Sequence, residues 1–233
     1  MNRFILAINT ATSPFSTALV REDGALIAET LLTSPSKGFG LFMPVLHRQL
    51  LSAGVNLKAL KALAVARGPG SFTGLRVGLA AAKGICRGLG IPAVAVSSLE
   101  ALAAQCPAIP HPICALIDSR RGEFFTAFFR ALPGGEMVMV KEETCLNIKG
   151  VADILEERTF FLGNDYPGQG TLLKEALGEK ALLAPAPLWN LRASTVAMLG
   201  LLRAEQHGFD DLGNLAPFYI RPPEIRAEKH SVQ

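Results

Sequence analysis

The chain has 233 residues, of which 49% are hydrophobic and 18% are charged, and its formal net charge is +3. This mild charge, with no Lys/Arg cluster as long as five residues, does not by itself indicate a nucleic-acid-binding surface. No run of about 18 apolar residues predicts a membrane span, and the apolar N-terminal run is too short for a signal peptide, so we expect a cytoplasmic protein. A soluble chain this apolar either hides its surface well or shares part of it with a partner, and we favour sharing.

The first hundred residues predict an α/β lobe that begins with three antiparallel strands. Short apolar runs between turn-forming residues predict strands at residues 4–8, 17–20, 26–32, 60–66 and 93–96. Apolar residues at a 3.6-residue spacing, closed by Gly54, predict a first helix that contains Phe39, Phe42, Met43, Leu46 and Leu50. A second helix is predicted over residues 75–89.

A proline-rich segment, AAQCPAIPHP at residues 103–112, separates this lobe from a second one. Directly after it, ICALIDSRRGEFFTAFF aligns without a gap with FILAINTATSPFSTALV near the N-terminus, which places Asn9 over Asp118 and Thr17 over Thr126. The match predicts duplicated lobes at residues 1–104 and 105–233, with a cleft between their first turns. Further strands are predicted near 137–140 and 160–163, and helices near 170–177 and 194–206, the last one capped by Ser194.

The glycine-rich stretch GPGSFTG fits neither common nucleotide-binding pattern. A P-loop needs Gly-Lys-Ser/Thr at its end, but Leu75 follows Gly74, and the dinucleotide pattern needs a glycine where Thr73 stands. An anion site at the start of the following helix is the alternative. We interpret the glycines as serving a tight strand-to-helix turn and a helix whose small residues pack closely against the lobe's own sheet and against another chain. Packing that is entirely internal remains open.

Candidates for catalysis are few. The four histidines (His47, His111, His207 and His230) are scattered without an HxxxH or HExxH pattern, so no metal site is predicted. The second turn offers Asp118 and Glu123 beside two arginines. These four residues form either a solvated ion-pair cluster or the acidic site of an actin-like ATPase or small-molecule kinase that uses Asp118. No catalytic residue is assigned, and an enzyme that works alone is not favoured.

Five segments resemble the TsaB (YeaZ) family in order and spacing: INTATSPFSTALV, ARGPGSFTGLRVGLAAAKGI, IDSRRGEFF, LGNDYPG and APFYIR. The resemblance covers essentially the whole chain. It implies a two-lobed actin-like, hexokinase-like ATPase-type fold made of duplicated ribonuclease H-like lobes, with mixed sheets flanked by helices. It also implies an accessory, non-catalytic subunit in the synthesis of N6-threonylcarbamoyladenosine at position 37 of tRNA.

The resemblance further implies partners. A TsaD-type catalytic subunit would pair with the first two helices, a TsaE-type ATPase would act alongside, tRNA would be met through the complex, and the isolated chain would form a homodimer. No cofactor or metal is expected on the isolated chain, and ATP or ADP at the interface with the partner stays open.

Site residues follow by position. The partner surface implied by the two helices comprises Phe39, Phe42, Met43, Leu46, Leu50, Gly74, Arg76, Val77, Ala80, Ala81, Lys83 and Gly84. Candidate contacts to a nucleotide or a partner are Asn9, Thr10, Thr12, Asp118, Arg120, Gly122 and Glu123. The chain departs from the family at Asn9, where many members have aspartate, and at Gly38-Phe39, where a His-Thr/Ser pair is common. Both departures weaken the case that the chain carries out nucleotide chemistry on its own.

Overall fold

The computed structural model describes residues 3–33, 38–133 and 136–221. Five strands form the first sheet in the order β3-β2-β1-β4-β5. They are β1 (Phe4–Asn9), β2 (Phe15–Arg21), β3 (Leu26–Leu32), β4 (Leu60–Gly68) and β5 (Ala93–Ser97). The first three strands pair antiparallel, and β4 and β5 continue the sheet parallel to β1.

A second sheet repeats this order as β8-β7-β6-β9-β10, so that β6 takes the central place that β1 has in the first sheet. Its strands are β6 (Ile113–Arg120), β7 (Glu123–Ala131), β8 (Met137–Asn147), β9 (Thr159–Leu162) and β10 (Ala181–Leu183). The predicted duplication is therefore confirmed at the level of topology. The gapless alignment is wrong in the second strand, because Thr17 pairs with Ile8 whereas Thr126 pairs with Leu116. The second turn is one residue shorter, which shifts the register.

Six α-helices flank the sheets in the described residues: α1 (Phe42–Ser52, after a short 3₁₀ turn), α2 (Phe72–Leu89), α3 (Ser98–Ala103), α4 (Ile148–Asp153), α5 (Tyr166–Leu177) and α6 (Ala193–His207). Helix α2 begins three residues earlier than predicted because the Ser71 side chain caps it, accepting from the Gly74 N–H at 3.2 Å. The predicted Ser194 cap is wrong. The Ser194 N–H instead donates to the Glu29 carboxylate of β3 at 2.9 Å. No helix in the described ranges combines the length and hydropathy needed to cross a membrane.

The helices divide between the two faces of the first sheet. Helices α1 and α2 cover one face, where Leu46 and Leu79 join a cluster with Leu6. Helix α6 covers the other face, so closely that a Cβ on Gly200 would lie 2.7 Å from the Ala64 Cβ. Because α6 follows the proline-rich segment in the chain, a division at residue 104 separates this helix from the sheet on which it packs. The end of the predicted C-terminal tail, residues 222–233, lies outside the described residues.

Candidate functional site

The glycine-rich loop after β4 packs against the backbone of its own chain. A Cβ on Gly70 would lie 2.3 Å from the Ala11 carbonyl oxygen, and one on Gly74 would lie 1.9 Å from the Thr10 carbonyl oxygen. The Ser71 N–H donates to the Ala11 carbonyl at 2.7 Å. The N–H groups of Ser71 and Gly74 at the start of α2 are therefore engaged within the chain. These close approaches confirm that Gly70 and Gly74 serve close packing, whereas the alternative of an anion site at the start of α2 stays a prediction.

The first turn of the cleft is closed by its own hydrogen bonds. Asn9 is fully buried, and its side-chain N–H₂ donates to the Leu191 carbonyl at 3.0 Å and to the Thr12 hydroxyl at 3.1 Å. The Asn9 carbonyl oxygen accepts from the Ala11 N–H at 2.9 Å. Thr10, also buried, donates to the Gly74 carbonyl at 2.7 Å. These bonds correct the prediction that the side chains of Asn9, Thr10 and Thr12 face a nucleotide or a partner.

The Asn9 site selects an amide rather than a carboxylate. Two of the neighbours of Asn9 are acceptors, the Leu191 carbonyl and the Ser16 hydroxyl oxygen, itself a donor to Leu191 at 2.9 Å. An aspartate has no N–H to offer and would set a buried negative charge against the Leu191 carbonyl oxygen. Asn9 therefore supplies no carboxylate to hold Mg²⁺ at this turn.

The second turn is open to solvent but engaged with the chain. Arg120 and Arg121 adopt left-handed backbone conformations, with φ of 70° and 61°, and the Asp118 carboxylate accepts from the Arg120 N–H at 2.9 Å. Gly122, also with a positive φ, completes this tight turn. Glu123 forms a two-oxygen ion pair with Arg221, whose guanidinium lowers the pKa of the Glu123 carboxyl. Through Glu123, the second turn thus holds the end of the described chain.

That end forms a strap, residues 218–221, across both lobes. The Phe218 N–H donates to the Arg67 carbonyl at 2.8 Å, and the Tyr219 ring lies 5.3 Å from the Phe72 ring at the start of α2. With the Arg221–Glu123 pair, the strap joins the glycine loop to the second turn. In the sequence, this segment was identified only by resemblance, and its role as a strap was not predicted. Its aromatic residues were the signal from which that role could have been found.

The apolar side of α1 faces inward. Phe42, Leu46 and Leu50 are buried under the first sheet, which corrects their assignment to a partner surface. The reason is that a 3.6-residue apolar period marks the side of a helix that faces its own core. Phe39 is half-buried, with its ring against Phe15.

The opposite side of the two helices is exposed. On α1, Met43 is 50% exposed and Leu51, which the sequence analysis missed although it lies two turns after Met43, is 67% exposed. On α2, Arg76, Ala80 and Gly84 are exposed, and no atom lies within 4 Å of a Cβ built on Gly84. We call these five residues the helical face.

The remaining predicted residues of α2 lie beside or beneath the helical face. Val77, Ala81 and Lys83 are half-buried along its edge. Gly74 is buried against Thr10, so it belongs to the internal contact of α2 and not to a partner surface. The two sides of α2 therefore differ. The side with Gly74 and Gly78 packs against Thr10 at the end of β1, and the side with Ala80 and Gly84 is open.

The thiols and histidines of the described residues form no reactive centre. No group of three or more His, Cys, Asp or Glu side chains in the described ranges is placed to hold a metal ion, and His230 lies outside them. The cysteines are free, and burial raises the pKa of Cys86 to about 11 and that of Cys106 to about 12.

Known proteins resemble this chain along nearly its whole length. It is 32% identical to the tRNA threonylcarbamoyladenosine biosynthesis protein TsaB of Bacillus subtilis, covering 96% of each chain. It is 35% identical to the TsaB of Escherichia coli, covering 72% of this chain and 71% of that protein. The solved structure of YeaZ from Pseudomonas aeruginosa superposes with a TM-score of 0.77 at 26% identity, covering 93% of this chain and 99% of that one.

The expected two-lobed, actin-like fold is thereby confirmed. The family model described as TsaD: tRNA N6-adenosine threonylcarbamoyltransferase matches residues 40–200, a range that includes both helices of the helical face. Full-length similarity to proteins named TsaB, at 32% identity, decides between these related names. The chain belongs to the TsaB family.

Proposed function

We propose that this chain is a non-catalytic subunit in the formation of N6-threonylcarbamoyladenosine in tRNA, and that it binds a TsaD-type transferase through the helical face. The names of its relatives support the pathway. The exposed small and apolar side chains on α1 and α2, two helices that cover the same face of the first sheet, are the observation that carries the mode of action.

The helical face has the geometry that helix–helix association requires. Side chains as small as Ala80 and Gly84 allow another helix to approach at the short end of the usual 8–10 Å interaxial range. Met43 and Leu51 supply exposed apolar area on α1, which becomes stabilising only when it is removed from water. Because α2 is fixed beneath by the contact between Gly78 and Thr10, the face is presented rigidly.

The closed first turn supports an accessory role. Its polar side chains are hydrogen-bonded to one another and to Leu191, so this chain's contribution is binding and orientation of its partner. In this proposal a TsaE-type ATPase and the tRNA act on the complex, and ATP or ADP is held only where the two chains meet. The alternative of an ATPase or kinase that uses Asp118 gains no support from the relatives.

The proposal is tested by pairing assays with the TsaD-type protein of the same cell. Gly84→Leu places a bulky side chain at an open position of α2, and Met43→Asp places a charge on α1. Each is expected to weaken pairing at least tenfold without lowering the unfolding temperature by more than about 2 °C. Ala176→Leu, an exposed small-to-large change on α5, is the matched control and should pair normally. Normal pairing by both face variants would refute the proposed surface. Mg-ATP turnover by the isolated chain, abolished in Asp118→Asn, would replace the proposal with the alternative.

The isolated chain should cover the helical face with a second copy of itself. We expect light scattering to show a shift from monomer to dimer as the concentration rises, and Gly84→Leu to oppose that shift. If light scattering shows monomer alone at every concentration, the expected self-pairing is contradicted. The proposal of pairing with the transferase is not affected by that result.

A further inference from the structure

Acidic residues are absent from a long segment in the N-terminal half of the chain. Residues 30–99 contain eight lysines and arginines but no aspartate or glutamate, although the 20 acidic residues of the chain, spread evenly, would place about six there. Both helices of the helical face, α1 and α2, lie within this segment. The net charge of +3 hides this concentration, because the acidic residues are all elsewhere.

The structure places one of these cations, Arg76, within the helical face and two more, Arg48 and Arg87, on the same two helices. Arg76 and Arg87 are exposed on α2, on either side of Ala80 and Gly84, and Arg48 is exposed on α1, three residues before Leu51. Arg76 lies over the Phe72 ring, 3.7 Å from its centre. None of the three forms an ion pair with any carboxylate of the described residues. Their charge is therefore not neutralised there.

We propose that the helical face binds a protein surface in which Asp and Glu side chains border an apolar strip. The inference rests on the proposed function for the location of the interface and adds the chemistry of the partner. Cations at the edge of a strip of Met, Leu, Ala and Gly reproduce the apolar core and charged rim of protein–protein interfaces. A surface for nucleic acid would instead need cations and hydrogen-bond donors across its centre, where Ala80 and Gly84 offer neither.

Complementary rim charges act mainly on the rate and selectivity of association. An acidic partner is drawn to this face from a distance, and surfaces that carry lysine and arginine are repelled. The attraction falls as salt rises, because the screening length is about 10 Å at 0.1 M ionic strength and about 3 Å at 1 M. The apolar strip is much less sensitive to salt, so the two contributions can be separated by experiment.

The test compares two double charge reversals in the full chain. Arg48→Glu with Arg87→Glu changes two exposed cations beside the helical face, and Lys149→Glu with Arg158→Glu makes the same change in charge on the second lobe. Each variant is titrated with the TsaD-type protein at 50 mM and 500 mM NaCl. We expect the first variant to bind about tenfold more weakly at 50 mM, with a smaller difference at 500 mM. The control variant should bind as wild type does.

Each contrary outcome has a distinct meaning. If Arg48→Glu with Arg87→Glu binds normally while Gly84→Leu does not, the face is the interface and the acidic partner surface is refuted. If neither the double charge reversal nor Gly84→Leu weakens binding, the helical face is not the interface and the proposed function names the wrong surface. If the first variant loses affinity for tRNA alone, and not for the transferase, the cations serve RNA and the inference is overturned.

Discussion

The side-chain amide of Asn9 donates a hydrogen bond of 3.0 Å to the backbone carbonyl of Leu191, 182 residues later in the chain. Ser16 donates to the same carbonyl at 2.9 Å. The turn that would face a nucleotide in an actin-like enzyme is here fastened to the segment that leads into α6. This bond decides how the residue should be understood: Asn9 is a structural amide at the meeting point of the two lobes.

Asn9→Asp should destabilise the chain by about 2–4 kcal/mol at pH 7, because a buried carboxylate would face a carbonyl oxygen without a donor between them. Burial raises the pKa of such a carboxyl in the folded state, so the loss should be smallest near pH 4 and grow as pH rises. Urea denaturation at both pH values measures it. Asn56→Asp, an exposed cap that accepts from the Lys58 N–H, should be neutral. Equal stability of Asn9→Asp and wild type at pH 7 would contradict this account of the turn.

Two glycines of α2 should respond oppositely to alanine. A Cβ on Gly78 would lie 2.2 Å from the Thr10 hydroxyl oxygen, which is held by its bond to the Gly74 carbonyl, so Gly78→Ala should destabilise the chain by roughly 1–3 kcal/mol. Gly84 faces open space, so Gly84→Ala should stabilise it by up to about 1 kcal/mol through helix propensity. Thermal unfolding of the two variants under monomeric conditions distinguishes them. Changes in stability of the same sign would contradict the conclusion that the side of α2 with Gly78 is closely packed and the side with Gly84 is open.

Glu143→Gln should raise the unfolding temperature at pH 7. Burial raises the pKa of the Glu143 carboxyl and outweighs the lowering by the Ser97 hydroxyl bond and by Arg67 and Arg203, whereas Glu100 adds to the rise. A raised pKa means that the contribution of the group to stability is full below its unfolded-state pKa and is lost as pH rises through its folded-state pKa. The advantage of glutamine should therefore vanish near pH 4. Glu142→Gln, on an exposed neighbour in β8, is the control in calorimetry. An advantage that persists unchanged at pH 4 would exclude ionisation as its cause.

The sequence by itself located most strands and the longer helices. Alternating apolar runs and helical periods are local properties, since they record which side chains of one element leave water together. The same locality made the short helices α3 and α4 and strand β10 hard to find, because an element of three to six residues holds too little of a period. The duplication was also visible, since both copies of the hairpin keep the same apolar pattern.

The tertiary structure decided which side of each element meets which neighbour. The period of α1 identified an apolar side with Leu46 on it, but only packing showed that this side covers the first sheet and that the opposite side, with Leu51, is exposed. Likewise, nothing local joins Glu123 to Arg221 or Asn9 to Leu191. Such contacts are made between residues far apart in the chain, and their existence depends on how whole sheets and helices pack rather than on any pattern within one segment.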